Sequence, residues 1–161
     1  MIFVTVGTHT QSFNRLLEEM DRLAGRGEIK EKVVAQIGHS SYEPKNIKWF
    51  RFETFEKLSR FYKESRIIIS HGGAGSILNG LSNNKPVIAV PRLEKYGEHV
   101  NDHQLDLVKK LEEKKKIIAV YDIKKLKAAI LKAKEVKKPK TENKICEEIE
   151  KYLSRLMKEM V

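Results

Sequence analysis

Residues 66–90 read "RIIISHGGAGSILNGLSNNKPVIAV", and this stretch decides the fold. The apolar run in "RIIIS" suits a strand buried on both faces of a parallel sheet. The glycines come directly after it. A helix is expected from about Ala74 to Ser82, stopped by the turn signal "NNKP". "PVIAVP" then begins another buried strand. Strand, glycine turn, helix and strand in close succession make a parallel crossover unit, whose connection is right-handed.

The same alternation runs outward in both directions. Upstream, residues 2–6 ("IFVTV") read as a first core strand, and a helix is expected over about 12–24, with Phe13, Leu16, Leu17, Met20 and Leu23 on one stripe. "KVVAQIG" and "IKWFRF" (47–52) read as strands two and three. "TFEKLSRFYKES" is a helix opened by a threonine cap, Thr54. Downstream, a helix is expected over about 101–114, then the strand "KIIAVY" and a helix over 123–134. The expected fold class is α/β: a single Rossmann-like domain with a parallel sheet over residues 1–138. Residues 139–161 form a second unit, in which Ile145, Ile149, Tyr152, Leu153, Leu156, Met157 and Met160 recur at helical spacing. That amphipathic helix packs either on its own domain or on a partner.

The 161 residues suit one domain, and 40% hydrophobic content is enough for a core. No apolar run is long enough to span a bilayer, and the N-terminus lacks the basic start of a signal peptide. With one cysteine, Cys146, neither an internal disulfide nor a cysteine metal cluster is available. A cytoplasmic location is the expectation. The net charge of +10 is uneven: residues 1–106 hold 15 basic and 13 acidic residues, and residues 107–161 hold 17 and 9. The basic C-terminal third suits an anionic membrane surface or acidic partner, or is simply a solvated Lys-rich face. Without an aromatic stacking platform, nucleic acid is not an expected partner.

Ligands of open parallel sheets sit beyond the carboxyl ends of the strands. Three loops belong there: "GTHTQSF" (7–13), "SHGGAGS" (70–76) and "PRLEKYGEHVNDHQ" (91–104). A helix start exposes unpaired N–H groups and the positive end of the helix dipole, and glycines let a phosphate approach the backbone. Ser76 adds a hydroxyl, and the imidazole of His71 can reach a phosphate oxygen. The competing reading is a glycine turn that only packs a helix on a sheet. The pattern matches neither a P-loop, which needs a Lys, nor the G-x-G-x-x-G fingerprint after a first strand. No Asp-x-Asp pair is present, so no metal or other cofactor is expected. His71 and Ser76 are the catalytic candidates, as donors to a phosphate group. His9 is the candidate base, with His99 an alternative.

"ISHGGAGSILNGLSNNKPVIAVPR" followed by "NDHQLDLVKKLEE" resembles the C-terminal, donor-binding half of the GT-B glycosyltransferases of family 28. Within that family the chain is most similar to the small catalytic subunits of two-subunit UDP-GlcNAc transferases of the dolichol pathway, and to exopolysaccharide and capsule counterparts. "IFVTVGTHTQSFNRLLEEMD" and "VVAQIGHSSYEPKN" fit the same group. The resemblance spans about residues 1–120. It implies that His71, Gly72, Gly73, Ala74, Gly75 and Ser76 bind the donor diphosphate, which Gly7 and Thr8 also face. It implies that Asp102, His103 and Gln104 lie near the donor sugar and Phe52 near the uracil. Asn79 stands where many relatives carry a ribose-binding Glu, a departure that removes a charge. The alternative role of "NDHQ" is a helix cap from Asn101 or Asp102.

The resemblance further implies an inverting hexosyltransferase subunit that moves GlcNAc, glucuronic acid or a hexose from a UDP-sugar to a lipid-linked acceptor. A GT-B enzyme has two halves and this chain has room for one. The implied partner is a membrane-associated acceptor-binding subunit, which would hold this chain at the membrane. A non-catalytic enhancer subunit is the alternative. A nucleotide-sugar epimerase would need both halves in one chain.

Overall fold

A computed structural model describes residues 1–136, 147–151 and 154–155. The elements are β1 (Ile2–Thr5), α1 (Asn14–Gly25), β2 (Val33–Gln36), β3 (Lys48–Phe50), α2 (Phe55–Glu64), β4 (Ile67–Ser70), α3 (Ala74–Ser82), β5 (Val87–Ala89), α4 (His103–Glu113), β6 (Ile118–Ala119) and α5 (Leu126–Glu135). One-turn 3-10 segments, Glu94–Tyr96 and Ile123–Lys125, precede α4 and α5. The six strands form one sheet in the order β3-β2-β1-β4-β5-β6, with every pair parallel.

Alternation along the buried strands explains the layers. Ile2, Val4, Ile67 and Ile69 face one side, where α1 (Leu16, Leu17, Met20, Leu23) and α5 (Leu126, Ala129, Ile130, Ala133) cover them. Phe3, Ile68 and Val87 face the other, against Tyr62 of α2, Ile77 and Leu81 of α3, and Leu107, Val108 and Leu111 of α4. On that second side Phe3 stacks on Phe61 at 5.2 Å and meets Tyr62 edge-on at 5.2 Å. Ile149 is 2% exposed and joins the α4 side of this core, with Lys114 and Glu148 ion-paired beside it. The described turn at 147–151 thus lies on its own domain. The other stripe residues expected there (Ile145, Tyr152, Leu153, Leu156, Met157, Met160) lie outside the described residues, as does Cys146.

The sheet order reverses between β1 and β4. Thr5 pairs with Ser70, so the loops after β1 and β4 leave the sheet side by side. That junction is where ligands of doubly wound sheets bind. Two boundaries differ from the sequence reading. α1 begins at Asn14 rather than Ser12, because Ser12 and Ser40 serve the neighbouring loop: Ser40 Oγ accepts from the Phe13 amide, and Ser12 Oγ accepts from the Ser41 amide. α4 begins at His103 with Asp102 at the cap position, but the Asp102 carboxylate turns back to accept from the Glu94 amide. Asn101 Oδ1 accepts from the His103 amide in its place. Among the described residues no helix is long and apolar enough to cross a membrane.

Candidate functional site

The glycines of the β4–α3 turn do different jobs. Gly72 sits at φ +86°, a left-handed conformation that L side chains rarely adopt, and lies against Pro91 and Val108. A Cβ on Gly7 would stand 2.6 Å from Cε1 of His71, and one on Gly73 would overlap Nε2 of the same ring. Gly7 and Gly73 therefore make room for an imidazole. Only Gly75 among the turn's glycines has nothing within 4 Å of its missing Cβ. It is the position where a ligand can come up to the backbone. This corrects the expectation that the glycines as a set bare the chain for a phosphate: two of them are filled from inside.

His71 is wedged between the two loops. Its backbone amide and its ring Nδ1 both reach the Thr5 carbonyl, at 3.1 and 3.3 Å. A carbonyl only accepts, so Nδ1 carries the ring proton. Burial, then the Arg92 guanidinium, push its pKa down to about 4. A neutral ring with its proton committed to Thr5 has no N–H left for a phosphate. In this form the ring spaces and locks the two loops.

Ser76 is also engaged. Its hydroxyl donates to the Gly73 carbonyl (2.8 Å) and accepts from Ser70 Oγ (2.5 Å), which in turn accepts from the Gly72 amide (3.2 Å). This chain braces the first turn of α3 from within. The backbone amides of Ala74, Gly75 and Ser76 hydrogen-bond to no described residue, as the first turn of a helix dictates. They point outward from the switch point, at the positive end of α3.

Arg92, which the sequence reading passed over, organises the floor. It is 1% exposed. Its guanidinium donates to the carbonyls of Val6 (2.7 Å), Gln11 (2.8 Å) and Glu98 (2.9 Å), and lies 5.0 Å from the Phe13 ring centre. Burial lowers its pKa to about 10, so it keeps its charge at neutral pH. The Glu98 carboxylate is taken by Arg15 in a two-pronged pair, 2.9 Å on each side, and by the Leu93 amide. A lone arginine directly after an apolar strand, in "VPR", was the available signal for Arg92.

His9 and His99 come from the loops after β1 and β5, and their ring centres lie 4.6 Å apart with the planes tilted by 31°. Each Nδ1 accepts a backbone N–H two residues on, from Gln11 (3.2 Å) and Asn101 (3.3 Å). The bare nitrogen is therefore turned inward and Nε2 carries the proton. Burial, then the charges of His99 and Arg92, lower the His9 pKa. A base needs its bare nitrogen toward the acceptor, and in this arrangement the bare Nδ1 of His9 faces the Gln11 amide. Thr8 is exposed beside it.

The remaining candidates spread along the cleft. Asn79 is exposed on α3, one turn beyond Ser76. Asp102 and His103 are exposed at the start of α4, and Gln104 is half-buried with an Oε1 that has no partner. Phe52 is 47% exposed at the sheet edge, edge-on to His39 at 4.9 Å. No contact joins Phe52 to the glycine turn among the described residues. A groove of about 530 Å³, mixed in charge, lies between α1 and the loop after β5, lined by Arg15, Glu18, Arg22 and Tyr96 among others and by no residue of α3.

Residues 1–159 match the glycosyltransferase family 28 C-terminal domain. The human UDP-N-acetylglucosamine transferase subunit ALG13 is 31% identical over 121 residues, covering 68% of this chain and 10% of the relative. Its mouse counterpart is 32% identical over 124 residues, with the same coverage. This chain thus spans about a tenth of the length of these curated relatives. Among solved structures, the glycotransferase of kitacinnamycin superposes with a TM-score of 0.64 at 15% identity, over 94% of this chain and 37% of that one. UDP-GlcNAc 2-epimerase from Methanocaldococcus jannaschii gives 0.64 at 14% identity, over 96% and 45%. At those identities the likeness is one of fold. The chain belongs to the glycosyltransferase family 28 C-terminal domain, and its six-stranded fold corresponds to the C-terminal half of a GT-B glycosyltransferase.

Proposed function

We propose that this domain is the donor-binding part of an inverting glycosyltransferase that takes a UDP-sugar and works with a separate, membrane-associated acceptor-binding subunit. The observation that carries the reading is the first turn of α3. Three unpaired amides open at the switch point of the sheet, beside a glycine with empty space where its side chain would be. Family membership and the names of the curated relatives, which are transferase subunits, support the same assignment.

In the transfer, the acceptor oxygen attacks the anomeric carbon opposite the leaving group. The bond from that carbon to the β-phosphate oxygen breaks, and UDP departs with the electron pair. The acceptor proton goes to a base. UDP gains a negative charge as the bond breaks, so donors already aimed at the diphosphate lower the barrier. We assign that work to the α3 amides and dipole, without a metal. Since His9 and His71 hold their bare nitrogens away from a substrate or against Gly73, the reading places the base on the partner subunit. The acceptor is then a lipid-linked sugar, and GlcNAc, glucuronic acid or a hexose the sugar moved.

Calorimetric titration with UDP and then UDP-sugars, with and without Mg²⁺, tests the assignment. Gly75→Ala is the decisive variant. Its Cβ meets nothing in the protein, and alanine favours a helix by about 0.5–1 kcal/mol over glycine. Melting temperature should hold or rise while UDP affinity drops about tenfold. Unchanged affinity would remove the α3 turn as the diphosphate site. A non-catalytic enhancer predicts that the two-subunit complex keeps its full rate when Ser76 and Gln104 are replaced. The donor-binding reading predicts a loss.

A further inference from the structure

We propose that His9 and His99 form a subsite of two neutral imidazoles that donate their Nε2–H groups to a phosphoryl oxygen of the bound nucleoside diphosphate. This rests on the donor-binding reading and adds to it a second set of donors, beyond the α3 amides. The argument begins with the hydrogen bonds. Both Nδ1 atoms accept from the amide two residues on, Gln11 and Asn101, which fixes both rings in the Nε2–H form. Neither Nε2 is bonded to a described residue. The rings are in contact, tilted by 31°, and half-buried, on loops that leave the carboxyl ends of β1 and β5 on either side of β4.

The surroundings favour an anion. The charges that bear on His9 are those of His99 and Arg92, and His71 lies within reach of all three. The nearby carboxylates are engaged elsewhere, Glu98 by Arg15 and the Leu93 amide, Asp102 by the Glu94 amide. Among the described residues no carboxylate forms an ion pair with a histidine. Two donors thus lie beside a buried guanidinium, and the carboxylate that bears on Arg92, Glu98, is already held by Arg15. Protonating either ring would put a hydrogen on Nδ1, facing an amide hydrogen. The pair therefore serves an anion best as uncharged donors, much as a neutral imidazole can polarise an oxygen without giving up a proton.

The two amide-bearing replacements separate the ring's two jobs. Asparagine keeps an acceptor at the Nδ1 position and loses the outer donor. Glutamine puts an N–H near the Nε2 position and loses the inner acceptor. We expect His9→Asn and His99→Asn each to weaken UDP binding about tenfold while melting near the unaltered protein. His9→Gln and His99→Gln should stay within about threefold in affinity and melt lower. Nitrogen-15 spectra should show both histidines as Nε2–H forms and His71 as the Nδ1–H form, with the Nε2 protons of the pair shifting when UDP is added. Asparagine variants that bind UDP normally, or glutamine variants that bind it less well than asparagine, would overturn the subsite. If the unaltered protein fails to bind UDP at all, the donor-binding reading falls and the subsite with it.

Discussion

The two ends of the sheet are built on opposite electrostatic plans. At the amino end, Glu31 pairs with both prongs of Arg66, with Lys134 at 3.3 Å and with the N-terminal amine at 3.8 Å. Glu28 beside it holds Arg22 (3.2 Å) and Lys127 (2.9 Å). The Arg66 pair, the largest influence, holds the Glu31 pKa below the usual carboxylate range. At the carboxyl end, three imidazoles, a buried arginine and three helix amides gather, and the carboxylate that bears on Arg92, Glu98, is already held by Arg15. The contrast teaches where to look. Charges neutralised on site hold the fold together, whereas donors left facing the same way without an acceptor mark what the fold is meant to hold.

The largest effect expected from breaking this contrast is at Arg92. Arg92→Met keeps bulk but orphans the carbonyls of Val6, Gln11 and Glu98, and should cost about 3–5 kcal/mol in urea unfolding. A loss under about 1 kcal/mol would mean that the loops at the carboxyl end hold themselves. Next is acid. The His71 pKa is about 4 folded against 6.5 for a free imidazole, so below pH 6.5 the unfolded chain takes up a proton that the folded one refuses. Stability should fall by up to about 3 kcal/mol as pH drops from 6.5 to 4, and a flat stability profile there would contradict the wedge. Third, Gly73→Ala drives a Cβ into the His71 ring and should cost about 1–3 kcal/mol. The same change in a His71→Ala background should cost far less, and strict additivity would refute the packing account. Smallest is the amino end. Glu31→Gln should lose about 1 kcal/mol or less and leave UDP affinity untouched; a drop in affinity would show that the two ends communicate.

Much of this was legible beforehand. Buried parallel strands are written as apolar runs, so "IFVTV", "KVVAQIG" and "RIIIS" read as β1, β2 and β4 without tertiary help. Thr54 capped α2 as its sequence implied, accepting from the Lys57 amide. Edges and ends were harder. β6 shrank to Ile118–Ala119, α1 began at Asn14 because Ser12 serves the neighbouring loop, and of the two caps offered for α4 Asn101 took the role while Asp102 turned to the Glu94 amide. Within the site, the glycine turn and the β1 loop were recognisable. The filling of Gly7 and Gly73 by His71 was not, since the ring joins positions 66 residues apart from Thr5 onward.

The sequence by itself determined the strand and helix alternation, the parallel sheet, the place of the glycine turn and the family. Each of these depends on local pattern or on short motifs. Only the tertiary structure decided what each polar atom does there: that the His71 proton goes to Thr5, that Ser76 braces its own helix, that Arg92 ties the floor, and that His9 meets His99. A side chain's chemistry depends on which nitrogen or oxygen is already engaged, and its partners come from strands that are distant in the chain and adjacent only once the sheet has formed.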